Sequence, residues 1–196
     1  MRVAIFIFDE VEVLDAMGPF EVFSVASRLR SADSDPFTVS LVARSHAVVT
    51  ARGGLKLTPD AVFDDIAQYD LLIVPGGVTE RAEADVETLQ WLAVHGASSK
   101  LVASVCTGAF LLAKAGILTD QIVTTHWEDT AALATAYPLL TVVENCRWLK
   151  SGNIYTSAGI SAGIDLSLHL VEVMTSADRA RRTAKQMDYH WIGNES

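Results

Sequence analysis

Short runs of β-branched and aliphatic residues recur along the chain, and none alternates cleanly with polar residues. They fall at residues 2–8 (RVAIFIF), 37–43 (FTVSLVA), 71–75 (LLIVP), 101–105 (LVASV) and 122–125 (IVTT). A strand wetted on one face alternates, whereas one covered on both faces is apolar throughout. Segments with helical spacing lie between several of these runs. Residues 21–29 follow Gly18-Pro19, where proline suits a first helical turn. Residues 86–97 place Leu89, Leu92 and Ala93 on one face, and residues 107–115 end at Gly116, a left-handed C-terminal position. Alternating strands and helices predict an α/β fold, a doubly wound and mainly parallel sheet flanked by helices.

Two hairpins are expected beside this repeat. One joins residues 47–51 to 55–58 around Gly53-Gly54, forming a small appendage. The other joins 141–144 to 153–156 around Ser151-Gly152. A last helix is predicted from Ser161, read as its N-cap, to about Tyr189, with Ile164, Leu168, Val171 and Met174 on its buried face. No repeat, low-complexity tract or linker interrupts the pattern, so residues 1–196 are expected to form a single domain.

With 196 residues, half of them hydrophobic, the chain is long enough for one sizeable core. Fifteen Lys and Arg against 24 Asp and Glu leave a net charge of -9. That sign opposes general electrostatic binding to nucleic acid or an anionic membrane. No apolar run reaches the roughly 18 to 20 residues needed to span a bilayer. Two cysteines make no disulfide framework, and the strand-like start has no signal-peptide pattern, so a reducing, cytoplasmic setting is expected. Metal-ligand patterns, GxGxxG and the P-loop are absent, so neither metal nor cofactor is expected. Arg179, Arg181, Arg182 and Lys185 read as a solvated basic face near a helix end.

The residues with most chemical content are in LVASVCTGAFLLAKAG, 101–116. A buried strand runs into a helix with Cys106 at the junction and small Gly108 and Ala109 behind it, a nucleophile elbow. Helix N-termini stabilise thiolates, so the pKa of Cys106 is expected to be lowered and Cys106, not Cys146, to be the reactive thiol. The competing reading is a small buried hydrophobe. Pro75-Gly76-Gly77 closes another strand, where paired glycines can aim N–H groups at developing negative charge or simply make a turn. Asp15, in VLDAMGP, sits in apolar surroundings that push a carboxyl pKa upward, fitting it to hold a proton beside a thiol. Asp9, Glu10, Glu12 and Glu21 compete for that role, and Asp15 as a turn cap is the alternative. His126 follows the strand at 122–125 and is placed to reach the same rim. His169 is expected to interact locally with Asp165, four residues earlier on a helix.

Taken together, VLDAMGPFEVF (13–23), VPGG (74–77), SVCTGAFLLAKAGIL (104–118), TTHW (124–127) and TSAGISAGID (156–165) resemble the ThiJ/PfpI superfamily, and within it the isocyanide hydratase branch. The resemblance covers nearly the whole chain. It implies a flavodoxin-like fold and a homodimer. It also implies cofactor-free hydration of a small-molecule isocyanide to an N-formamide through a thioimidate on Cys106. By position, Asp15 matches the acid/base carboxyl and Thr107 the residue that hydrogen-bonds beside the thiolate. Gly76 and Gly77 match the oxyanion-side turn, and Ile160 a pocket-lining residue. Asp15 replaces the glutamate of many members, and Thr107 replaces the histidine of the protease-like branch; both differences point away from peptidase chemistry. A related cysteine hydrolase or amidase, and a non-enzymatic thiol sensor, are the alternative functions. Similar segments occur in regulators that continue into a helix-turn-helix domain, a portion not expected in this chain.

Overall fold

A computed structural model describes residues 1–29, 35–65 and 67–193. Strand β1 (Arg2–Phe6) leads through a loop into α1 (Val13–Arg28), followed by β2 (Thr38–Ala43). A small excursion of β3 (Val49–Thr50), a 3₁₀ turn (Arg52–Gly54) and β4 (Lys56–Leu57) precedes β5 (Ala61–Val62). Next come β6 (Leu71–Val74), α2 (Glu80–Ala84), α3 (Val86–Ser98), β7 (Leu101–Val105) and α4 (Gly108–Lys114). The remainder is β8 (Ile122–Val123), α5 (Thr130–Ala136), β9 (Thr141–Val142), β10 (Trp148–Ser151), β11 (Ile154–Ser157), α6 (Ala162–Met174) and α7 (Ala177–Gln186).

The central sheet has the order β10-β11-β7-β6-β1-β2-β5. Only β10 runs antiparallel to its neighbour. Along β1 and just past it, Val3, Ile5 and Ile7 pack on one face with Val22 and Phe23 of α1, Leu168 and Val171 of α6 and Ala180 of α7. Ala4 and Phe6 pack on the other with Trp91 and Leu92 of α3 and Leu111 and Leu112 of α4. Apolar partners wait on both sides, which is why the strands do not alternate. Each large side chain so buried stabilises the fold by about 1.5–3 kcal/mol. None of the described helices is long and apolar enough to cross a membrane.

The structure departs from the sequence-based expectation in several places. Helix α1 begins at Val13, not Glu21, with Pro19 in its interior, so Asp15 lies in a first helical turn rather than capping a bend. Ile122–Val123 stays out of the central sheet and pairs in parallel with Thr141–Val142. The hairpin at Ser151-Gly152 therefore takes Trp148–Ser151 as its first strand, with Gly152 at φ +64. The hairpin around Gly53-Gly54 forms as expected. The last helix breaks at Thr175-Ser176, where Ser176, not Ser161, accepts a capping hydrogen bond, from the Arg179 N–H at 3.2 Å. Arg179 leaves the expected solvated face. It is buried, its Nε donates to the Ala26 carbonyl at 2.9 Å, and its guanidinium lies 5.0 Å above the Phe37 ring. His169 meets Glu172 at 3.4 Å and stacks on Trp148, while Asp165 turns elsewhere.

Candidate active site

Four adjacent strands of the sheet, β11, β7, β6 and β1, each deliver one part of the site at or just beyond their carboxyl ends, the usual ligand-binding edge of such sheets. Strand β7 delivers Cys106, which sits at φ +56 between strand and helix. The sharp turn is possible because Gly108 brings α4 against β6; a Cβ there would overlap the Val74 carbonyl. The Cys106 carbonyl accepts from the Thr125 hydroxyl at 2.7 Å, and its N–H donates to the Ser157 carbonyl at 3.2 Å. Cys146, the second free cysteine, is only half-buried.

Strand β6 delivers Gly76 and Gly77. The Gly76 N–H donates to Asp15 Oδ2 at 3.0 Å. The Gly77 N–H donates to Thr107 Oγ1 at 2.9 Å, and the Thr107 hydroxyl donates back to the Gly77 carbonyl at 3.0 Å. A Cβ on Gly76 would stand 2.5 Å from Thr107 Oγ1, so only glycine permits this approach. The sequence leaves this turn open between oxyanion donors, which the family resemblance favours, and a simple turn; in the structure both amides already have side-chain acceptors. The N–H groups that stabilise charge on the sulfur are those of Thr107 and Ile160. Ile160 follows β11 and reaches this position at φ +50, a rare conformation for a β-branched residue that persists only where its surroundings hold it.

The loop after β1 leads into α1 and delivers Asp15, fully buried. Its Oδ1 has no hydrogen-bond partner among the described residues. Burial raises its pKa to about 7; the Gly76 N–H and the nearby Cys106 thiol pull the other way and only partly offset it. Glu12 adds to the rise, and Arg52, paired with Glu12 at 3.2 Å, opposes it. The Cys106 thiol departs from expectation. Burial first, and then the adjacent Asp15 charge, push it up to about 12 despite the Thr107 and Ile160 N–H groups. The helix-start effect is present but smaller than desolvation. Cys106 at rest is therefore a neutral thiol beside a carboxylate that titrates near neutrality.

His126 stands at the rim. Its ring packs so closely on Gly159 that a Cβ there would overlap Cδ2, and its Nδ1 faces Asp129 at 3.4 Å and Glu128 at 3.8 Å. It borders the Ile160 loop without any described hydrogen bond to Cys106. Trp127 beside it is largely exposed. Sequence reasoning misses Thr125 as the prop of the elbow, although it lies in the TTHW segment. It also misses Arg52, for which the sequence carries no signal, because the β3–β4 hairpin brings it to Glu12 from a distance.

Comparisons with known proteins establish the family. The DJ-1/PfpI family model matches residues 1–173. Isonitrile hydratase of Pseudomonas putida is 32% identical over 190 residues, 96% of this chain and 78% of that protein. The transcriptional regulator GbdR of Pseudomonas aeruginosa is 32% identical over 158 residues, but the chain spans only 42% of its length. Among solved structures, a ThiJ/PfpI family protein from Pseudomonas syringae superposes with a TM-score of 0.86 at 29% identity, covering 98% of this chain and 76% of that one. Drosophila melanogaster DJ-1beta shares the fold, with a TM-score of 0.84 at 16% identity over 97% and 98% of the two chains. The chain belongs to the DJ-1/PfpI family.

Proposed function

We propose that this protein is a cysteine-dependent enzyme that adds water to an isocyanide to give an N-formamide. The observation that carries the reading is the buried Asp15 carboxyl, titrating near 7, beside the neutral thiol of Cys106. An isocyanide ends in a carbon that must gain both a nucleophile and a proton, and this pair supplies both. Ionised Asp15 takes the thiol proton as the sulfur bonds to the terminal carbon, then returns it to that carbon, giving a thioimidate, R–N=CH–S–Cys106. Water adds to the C=N bond, and the resulting tetrahedral adduct breaks its C–S bond. The products are R–NH–CHO and the free thiol, so no net proton or electron is exchanged. The Ile160 and Thr107 N–H groups support charge on the sulfur during attack and departure.

The 32% identity to an isonitrile hydratase over most of both chains supports this substrate class. Thiol sensing calls for an accessible, easily ionised cysteine, and Cys106 is buried with its ionisation suppressed. Incubation of the pure protein with alkyl and aryl isocyanides, followed by detection of the N-formamides, tests the proposal. Catalytic formamide production is expected, and its absence across the panel, with Cys106 reduced and the fold intact, contradicts it.

A further inference from the structure

Among the described residues two acidic side chains are fully buried, Asp15 and Asp165, and the chemistry above uses only the first. Asp165 lies in the first turn of α6, just after the loop at residues 158–161 that carries the Ile160 N–H. Its Oδ2 accepts from Arg147 Nη2 and from the Tyr189 hydroxyl at 3.1 Å, and its Oδ1 accepts from the Ile192 N–H at 2.9 Å. Its carbonyl accepts from Trp191 Nε1 at 3.2 Å. Arg147 in turn grips both ends of the loop. Its carbonyl accepts from the Ala158 N–H at 2.9 Å, and its Nη1 reaches Ser161 Oγ at 3.5 Å.

We propose that Arg147 and Asp165, completed by the C-terminal segment at residues 189–192, form a clamp that holds the strained 158–161 loop so that the Ile160 N–H stays aimed at the Cys106 sulfur. Left-handed backbone at a β-branched residue relaxes unless its surroundings fix it. Here the Gly159 backbone is pressed on the His126 ring from one side and Arg147 spans the loop from the other. A buried carboxylate strongly resists losing its partners, so Asp165 keeps Arg147 and the tail in place. Tyr189, Trp191 and Ile192 lie beyond residues 1–173, which the family model matches. Arg147 and Asp165 are positioning residues, since neither touches the reacting atoms.

The inference rests on Cys106 as the reactive thiol and is independent of what it attacks, so the readout involves no isocyanide. In a Cys146→Ser background, the rate of Cys106 alkylation by iodoacetamide and the hydrogen exchange of the Ile160 amide are measured for the parent, Arg147→Met and Tyr189→Phe. Loss of one charge-assisted hydrogen bond to the thiolate is expected to slow alkylation about 10-fold in Arg147→Met and to speed Ile160 exchange. Tyr189→Phe is expected to act in the same directions, less strongly. If Arg147→Met does not fold, Tyr189→Phe decides alone. Unchanged alkylation and exchange in the folded variants, even with a lower melting temperature, would show that the clamp only stabilises the fold. Failure of formamide synthesis leaves this test standing, and an inert clamp leaves the isocyanide chemistry standing.

Discussion

Asp15 and Asp165 occupy matching places, each buried in the first turn of a helix on the same face of the sheet, yet their surroundings differ. Asp165 has an arginine, a phenol and a backbone N–H on its two oxygens. Asp15 has one backbone N–H on Oδ2, no hydrogen-bond partner on Oδ1 among the described residues, and a thiol for its neighbour. A buried carboxylate with every acceptor filled ties elements together; one with an acceptor left open beside a nucleophile is free to take a proton. The same residue type at the same burial becomes a tie or a base according to its partners.

The largest expected effect lies at the thiol. Cys106→Ala should lose formamide synthesis altogether while keeping the melting temperature within a few degrees; residual turnover at the parental rate would move the nucleophile elsewhere. Asp15→Asn should lower turnover by about 10²- to 10⁴-fold, the usual contribution of general acid–base catalysis. It should also ease Cys106 ionisation, because the neighbouring negative charge is removed. Unchanged turnover in isocyanide assays would exclude Asp15 as the proton carrier.

Stability should separate the two carboxylates by sign. The pKa of Asp15 is raised on folding, from 3.8 to about 7, so its cost is absent below about pH 4, grows as pH rises and is complete above about 7. Asp15→Asn should therefore stabilise the protein at pH 8 by up to about 4 kcal/mol, with the gain vanishing toward pH 4. Asp165→Asn should instead destabilise by about 3 kcal/mol, because it leaves the half-buried Arg147 facing a neutral amide where the buried carboxylate stood. Denaturant titrations across this pH range check both, and a gain at both positions would erase the contrast. The smallest effect is expected at His126, whose Nδ1 faces Asp129 and Glu128. His126→Gln should change turnover by less than about 10-fold, below the usual range of acid–base effects.

Much of the scaffold and part of the site were legible in the chain itself. Unalternating strands follow from a sheet covered on both faces, and the Val-Cys-Thr-Gly segment marks an elbow because Gly108 must let a helix touch a strand. Local pattern misled where tertiary partners decide. Proline 19 reads as a helix start, yet the turns ahead of it are packed against α6 through Gly18 and Ile164. The IVTT run looks like a sheet strand, but Thr124 and Thr125 serve as hydrogen-bonding props to β11 and Cys106. The thiol's ionisation departs from the sequence expectation because a helix start is visible in sequence and desolvation is not. Asp165, Arg147 and the tail are separated along the chain, and no spacing rule connects them.

The most direct test of the central claim, that Asp15 receives the proton of a neutral Cys106 thiol, is the pH dependence of kcat/KM for an isocyanide substrate. Asp15 must be ionised to accept the proton, so the parent enzyme should lose activity as pH falls below about 7. In Asp15→Asn that acid limb should be missing and the remaining rate low throughout. A parental profile that stays level down to pH 5, or an acid limb that persists in Asp15→Asn, would contradict the account.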